Sequence, residues 1–120
     1  AMSIPRLLAR NGLRFEDIDV WEIHEAFAAQ VLINRACMAD AGFVHGRLGR
    51  ECPVGEIPMD QLNPWGGSLS LGNPFAATGG RLFMTACQRL QASGKRYAVI
   101  STCAGGGLGA AILLEHPDAL

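Results

Sequence analysis

His24, Asn73 and Cys103 are the polar side chains in this sequence best placed to do chemistry. His24 follows the apolar run Val20-Trp21-Glu22-Ile23, and Cys103 follows Tyr97-Ala98-Val99-Ile100-Ser101-Thr102. In an open α/β sheet, a histidine at the C-terminal end of a strand faces the crevice where ligands bind. There it can donate a hydrogen bond to an oxyanion or shuttle a proton near neutral pH. The same ring reads equally well as a satisfied histidine capping the helix that follows. Cys103 lies beside Gly105-Gly106-Gly107, whose backbone N–H groups can approach a ligand closely. A cysteine there can act as nucleophile or as proton donor and acceptor. The bland alternative is a small buried hydrophobe, the reading that fits Cys37 and Cys87.

Asn73 stands in Gly72-Asn73-Pro74-Phe75-Ala76-Ala77-Thr78-Gly79-Gly80-Arg81, a glycine-rich turn entering an apolar helix. Asparagine is a preferred N-cap, and proline at the first helical position gives up a donor that has no partner there. Capping alone explains Asn73. Its functional reading is an amide donor to a carbonyl or a water, at a helix mouth that favours developing negative charge. It cannot be a general base, because an amide accepts no proton near pH 7. Three polar ends of this kind in one small chain predict a single shared cleft.

The elements that must position these groups follow from pattern. Ile4 to Arg10 reads as a helix closed by Asn11-Gly12, and Phe15 to Asp19 as a polar connection. Val20 to Ile23 is a short strand. Ala26 to Ala41 is a helix ending at Gly42, with Phe27, Val31, Leu32, Cys37 and Met38 spread so broadly that it should be largely buried. Residues 42–67 are rich in Gly and Pro yet too apolar for disorder, so an ordered excursion over the cleft is expected. Ser68 to Leu71 reads as a short extended piece, and Phe75 to Gln91 as a second long helix ended at Ser93-Gly94-Lys95. Tyr97 to Thr102 and Ala110 to Glu115 are strands joined by the turn Cys103 to Gly107, a hairpin. Strands elsewhere alternate with helices, which predicts a mixed sheet in an α/β fold.

At 120 residues the chain is one domain, large enough to bury a core. It is 49% hydrophobic and 18% charged, so a large interface that the chain cannot cover alone is expected. The net charge is −1 with no basic run, which leaves no footprint for nucleic acid. No apolar stretch approaches the ~20 residues that span a bilayer, and no signal peptide is expected. Cys37, Cys52, Cys87 and Cys103 lack any close pairing and read as reduced thiols. Gly105 to Ala110 matches the dinucleotide pattern G-x-G-x-x-A, but a strand follows where a helix is required. His24, His45, His116 and the cysteines show no metal-ligand spacing, so no metal is expected.

Taken in order, three motifs resemble the thiolase family. They are His24-Glu25-Ala26-Phe27-Ala28-Ala29-Gln30, then Gly66-Gly67-Ser68-Leu69-Ser70-Leu71-Gly72-Asn73-Pro74 with Thr78-Gly79-Gly80-Arg81, then Cys103-Ala104-Gly105-Gly106-Gly107-Leu108-Gly109. The histidine form of the first motif is similar to the branch handling long-chain or unusual acyl-CoAs in fatty-acid β-oxidation. The resemblance implies a thiolase-like α/β fold, with residues 1–120 as its C-terminal domain. It implies thiolytic cleavage of 3-ketoacyl-CoA, or the reverse Claisen condensation, through an acyl-cysteine. His24 would help hold the thioester oxygen, and Phe27 would line the substrate. Cys103 would move a proton to or from the carbanion carbon, with the Gly105 N–H in a second oxyanion hole. Coenzyme A would be a substrate, with no permanently bound cofactor. A homodimer or homotetramer in the cytoplasm, or in an organelle matrix of a eukaryote, is implied.

Two departures from the family pattern matter. The nucleophilic cysteine and the loop domain that grips CoA belong to an N-terminal half that these residues do not resemble, so that half is an expected partner. Position 73, where the family carries the histidine base, holds asparagine. A free thiol with a pKa near 8.5 is only a few per cent thiolate at pH 7. Losing a positioned base costs about 10²–10⁴-fold. Either activity is crippled or the base role has moved. His24 with Asn73 is also similar to the Cys-His-Asn arrangement of ketoacyl synthase III and hydroxymethylglutaryl-CoA synthase enzymes. The third reading is a degenerate thiolase-like subunit that binds acyl-CoA without turnover.

Overall fold

The structure, a computed structural model, describes residues 1–118. Its helices are α1 (Ser3–Asn11), α2 (Ala28–Ala39), α3 (Ala41–Leu48), the single turn α4 (Ser68–Leu71) and α5 (Thr78–Ser93). Its strands are β1 (Val20–Ile23), β2 (Tyr97–Ala104) and β3 (Leu108–Glu115), and a 3-10 turn at Phe15–Asp17 leads into β1. The sheet is mixed, in the order β1-β2-β3. β1 runs parallel to β2, from Val20 opposite Ala98 to Ile23 opposite Ser101. β3 returns antiparallel, from Ala104 opposite Leu108 to Tyr97 opposite Glu115. The tight return uses Gly106 and Gly107 at φ 85° and 74°, a region glycine enters without a Cβ penalty.

Helices cover both faces of β1, and all four of its residues are buried, as a doubly covered strand requires. Alternation sends Val20, Ala98 and Ile100 to one face, where they pack with Leu82, Ala86 and Leu90 of α5. Trp21, Ile23 and Val99 face the other way and meet Ile4 and Leu8 of α1, Val31 and Met38 of α2 and Val44 of α3. Each Val, Leu, Ile or Met among these, fully buried, contributes about 1.5–3 kcal/mol. Glu22 shares the α5 face and is itself fully buried. Arg89 of α5 meets it, donating through Nη1 to Glu22 Oε1 at 2.6 Å and to the Trp21 carbonyl at 2.9 Å. Because α5 leads into the parallel strand β2, it runs back along the sheet. Its first turn therefore stands at the C-terminal ends of β1 and β2.

The free edge of β1 is closed by the loop of residues 49–67 in place of a fourth strand. Leu62 bridges Trp21, and Asn63 N–H donates to the Trp21 carbonyl at 3.2 Å. The Asn63 amide then accepts from Ile23 N–H and donates to the Ile23 carbonyl, both at 2.8 Å. One side chain thus satisfies both backbone groups of the strand's last residue. Asn63 sits at φ 45°, which asparagine tolerates better than most residues.

Several sequence expectations need correction. The helix expected from Ala26 to Ala41 is two helices, broken at Asp40 (φ −86°, ψ 118°), whose side chain accepts from Phe43 N–H at 2.6 Å. Gly42 therefore lies inside α3, and the left-handed Gly49 ends it. α2 is not largely buried: only Val31 and Met38 are, while Leu32 and Ile33 are at least half exposed. Cys37 and Cys87 are partly exposed. Ser68 to Leu71 is a helical turn, closed by Leu71 N–H to the Gly67 carbonyl and Gly72 N–H to the Ser68 carbonyl. The second long helix begins at Thr78, not Phe75, and its cap position is Ala77. Ala76, at φ 66°, is left-handed and cannot continue a right-handed helix back to Pro74.

Candidate active site

His24 continues β1 by one residue, its N–H donating to the Ser101 carbonyl at 2.8 Å. Its Nδ1 lies 2.9 Å from Ser68 Oγ, and Arg81 Nη2 donates to that same oxygen at 3.0 Å. The ring does not cap the next helix. That position is Phe27, and no side chain bonds there. Burial pushes the His24 pKa down, the positive charge of Arg81 pushes the same way, and Glu25 opposes both. The neutral ring is therefore favoured near pH 7.

Glu25, next in the chain, anchors the turn that carries Ser68. Its carboxylate accepts from Asn63 Nδ2 at 2.6 Å and from Leu69 N–H at 3.0 Å. Gly67 packs directly on that carboxylate, where any Cβ would collide with it. A side chain there would have to displace the Glu25 carboxylate from its bonds to Asn63 and Leu69, and those bonds tie Glu25 to the start of α4. Glu25, Gly67, Ser68 and Arg81 stand in the first two motifs, but their types and spacing alone assign them no role. The missed signal was a carboxylate adjoining His24 and a Gly-Gly-Ser turn that must pack against something.

Asn73 is exposed on the connection between α4 and α5 and is not an N-cap. Its Oδ1 accepts from Thr78 Oγ1 at 2.7 Å, while Ala77 and Thr78 N–H donate to the Pro74 carbonyl. The amide is thus tied to the first residue of α5 from outside the helix. Cys103 is inside β2, opposite Gly109, and is partly exposed; the expected turn narrows to Gly105, Gly106 and Gly107. Gly105 opens this exposed loop.

Four elements therefore bring the candidates to one end of the sheet. His24 is linked through Ser68 to Arg81 on the first turn of α5, and Asn73 is linked to Thr78 on that same turn. Cys103 lies on the neighbouring strand, two residues beyond the Ser101 whose carbonyl holds His24. Phe27 is 71% exposed just ahead of α2, not within a buried helix face. The expected cleft is not closed by this chain. A hollow of about 520 Å³ lies toward the opposite end of β1 among Phe15, Asp19, Trp21, Gly55, Glu56 and Lys95. Neither it nor a smaller hollow between α1, α2 and the sheet is lined by His24, Asn73 or Cys103. Among the described residues, no group of three His, Cys, Asp or Glu side chains is placed to hold a metal ion. No helix among them is long and apolar enough to cross a membrane.

Chemically, the arrangement offers a neutral imidazole, a carboxamide and a thiol beside a glycine loop, all at the C-terminal ends of parallel strands. The family model described as "Thiolase, C-terminal domain" matches residues 1–116. A probable 3-ketoacyl-CoA thiolase of Caenorhabditis elegans is 50% identical over 115 residues, covering 96% of this chain and 26% of that protein. The mitochondrial trifunctional enzyme subunit beta of Bos taurus is 47% identical over 113 residues, covering 94% of this chain and 24% of that protein. The crystal structure of human mitochondrial 3-ketoacyl-CoA thiolase superposes with a TM-score of 0.73 at 31% identity, covering 95% of this chain and 25% of that one. The chain spans about a quarter of the length of these relatives.

Proposed function

The chain belongs to the thiolase C-terminal domain family, and we propose that it forms the C-terminal catalytic part of an acyl-CoA acyltransferase. The complete enzyme cleaves 3-ketoacyl-CoA with free CoA, or runs the reverse Claisen condensation, through an acyl-cysteine. An N-terminal half supplies the nucleophilic cysteine and the loop domain for CoA. In this reading His24 donates to the thioester oxygen, and the Gly105 N–H serves a second oxyanion hole. Cys103 exchanges the proton at the carbanion carbon, and Phe27 lines the acyl path. Asn73 occupies the position of the family's base. What supports the reading is that His24 ends β1, that Asn73 is tied to Thr78 at the start of α5, and that Cys103 lies near the end of the neighbouring strand β2.

Relatives named as mitochondrial support an organelle matrix as the setting. A homodimer or homotetramer is the assembly we propose. The apolar side chains exposed around α2 and the loops support such an interface.

A second reading is favoured by Asn73 itself. With its Oδ1 engaged by Thr78, the amide presents a donor, the part asparagine plays in a Cys-His-Asn condensing site. The third reading is a subunit that binds acyl-CoA without turnover. Burst release of CoA from an acyl-CoA, assayed on the complete protein, separates enzyme from binder: no burst sinks the enzyme reading. Asn73→His then separates the two enzymes. A rise in thiolysis of about 10²-fold or more is expected when a positioned base is restored. A fall instead would assign the base role to His24.

A further inference from the structure

We propose that Ser68, held by Arg81, fixes His24 as the neutral ring protonated at Nε2, so that the imidazole meets its substrate as a hydrogen-bond donor. Ser68 and Arg81 are then positioning residues for the site. One buried oxygen, Ser68 Oγ, decides where the protons sit. Ser68 is only 6% exposed, so its hydroxyl cannot rely on bulk water. A guanidinium has no acceptor, so Arg81 Nη2 at 3.0 Å must donate to Ser68 Oγ. The hydroxyl's own proton then needs an acceptor. His24 Nδ1, at 2.9 Å, is the other side-chain partner of that oxygen among the described residues.

If Nδ1 carried the proton, Ser68 Oγ would receive two donors and its own hydrogen would be buried without an acceptor. The doubly protonated ring has the same fault, and it adds a cation beside Arg81, whose charge already disfavours it. Of the three ring states, only the one with a bare Nδ1 gives the Ser68 hydroxyl proton an acceptor; it leaves Arg81 Nε and Nη1, which are buried without partners, unchanged. The remaining proton is on Nε2. A ring in that state cannot take a proton at Nε2, so the histidine is suited to hold an oxyanion and not to be the base.

The scaffold is built to keep this geometry. Glu25 accepts from Leu69 N–H and packs on Gly67, so the turn bearing Ser68 is pinned to the residue that follows His24. His24 N–H is held by the Ser101 carbonyl, so the ring's own backbone is fixed by the sheet. What the Nε2 proton faces in the complete enzyme rests on the acyltransferase reading above; the protonation state itself does not.

The experiment is nitrogen-15 NMR of the imidazole nitrogens in the complete protein labelled at histidine, with His24→Gln used to assign the ring. The expected spectrum shows a bare, hydrogen-bonded Nδ1 and a protonated Nε2 at neutral pH. Ser68→Ala is expected to give a mixture of the two neutral forms, and Ser68→Thr, which keeps a hydroxyl, to restore the single form. In steady-state thiolysis Ser68→Ala should lower kcat by about 2–10-fold, the worth of one hydrogen bond, with KM changed less than about twofold. A wild-type ring protonated at Nδ1, or one unchanged in Ser68→Ala, overturns the proposal. If the complete protein shows no acyltransferase activity, the functional reading fails while the ring spectrum still decides this one.

Discussion

His24 shows how a single side chain couples stability to the site's chemistry. Burial first, and the Arg81 charge second, lower its pKa below the ordinary 6.5, with Glu25 acting against them. Between the folded and unfolded values the unfolded chain holds the proton and the folded chain does not, so stability rises with pH in that window. The contribution is complete above about pH 6.5 and is lost as pH falls through the lower, folded value. A denaturant-midpoint series from about pH 7.5 to about pH 5 should therefore slope downward on acidification. The slope should be shallower in His24→Gln; equal slopes in both proteins would remove His24 as the cause.

At the scale of elements, two features of the α5 region make separate predictions. The Glu22–Arg89 pair joins α5 to β1, and Arg89 Nη2 also donates to the Gln61 carbonyl on the edge loop. Burial raises the Glu22 pKa, and Arg89 pulls it back down. Arg89→Ala would strand the carboxylate and is expected to cost about 3–5 kcal/mol by chemical denaturation. The double change Glu22→Leu with Arg89→Met should recover most of that loss, since a buried pair is often replaceable by apolar groups. Failure of the double change to recover would mean the edge-loop bond, not the charge pair, dominates. Ala76 is the opposite case, a side chain in left-handed backbone at the entrance to α5. Ala76→Gly should stabilise by about 0.5–1 kcal/mol, the strain relieved less the added freedom of the unfolded chain. No change, or a loss, would show that the neighbouring turn already accommodates the methyl group.

Many large apolar side chains are exposed among the described residues. Phe75 is 91% exposed and Phe27 71%, and Met59, Trp65, Leu69, Leu71, Met84, Leu108 and Ile112 are each more than half exposed. Where such side chains adjoin, they mark surfaces that other protein covers. The purified 120-residue chain is therefore expected to self-associate with rising concentration in sedimentation velocity. It is also expected to show no thiolysis, because it carries no motif for the nucleophilic cysteine. Turnover by this chain alone would transfer the nucleophile to one of its own four cysteines. A concentration-independent monomer would remove the interface argument.

Residue types and local pattern were enough to determine much of this. Hydrophobic runs gave β1 and β2, and the glycine loop gave the hairpin, because these depend on neighbours in the chain. The three motifs pointed to the family, and their polar letters marked the candidate site. Tertiary structure decided what those letters do. Ala76 turns left-handed, so Asn73 loses its capping role and bonds Thr78 from outside the helix. Asp40 divides a helix that periodicity alone made continuous. Asn63 replaces a strand at the edge of β1, and Ser68 joins His24 to Arg81. Each of these is a contact between residues whose spacing carries no periodic signal, or a backbone angle that a single alanine or aspartate does not announce. Such features exist only once the chain has closed on itself, because the burial that makes a lone hydrogen bond decisive is a property of the packed whole.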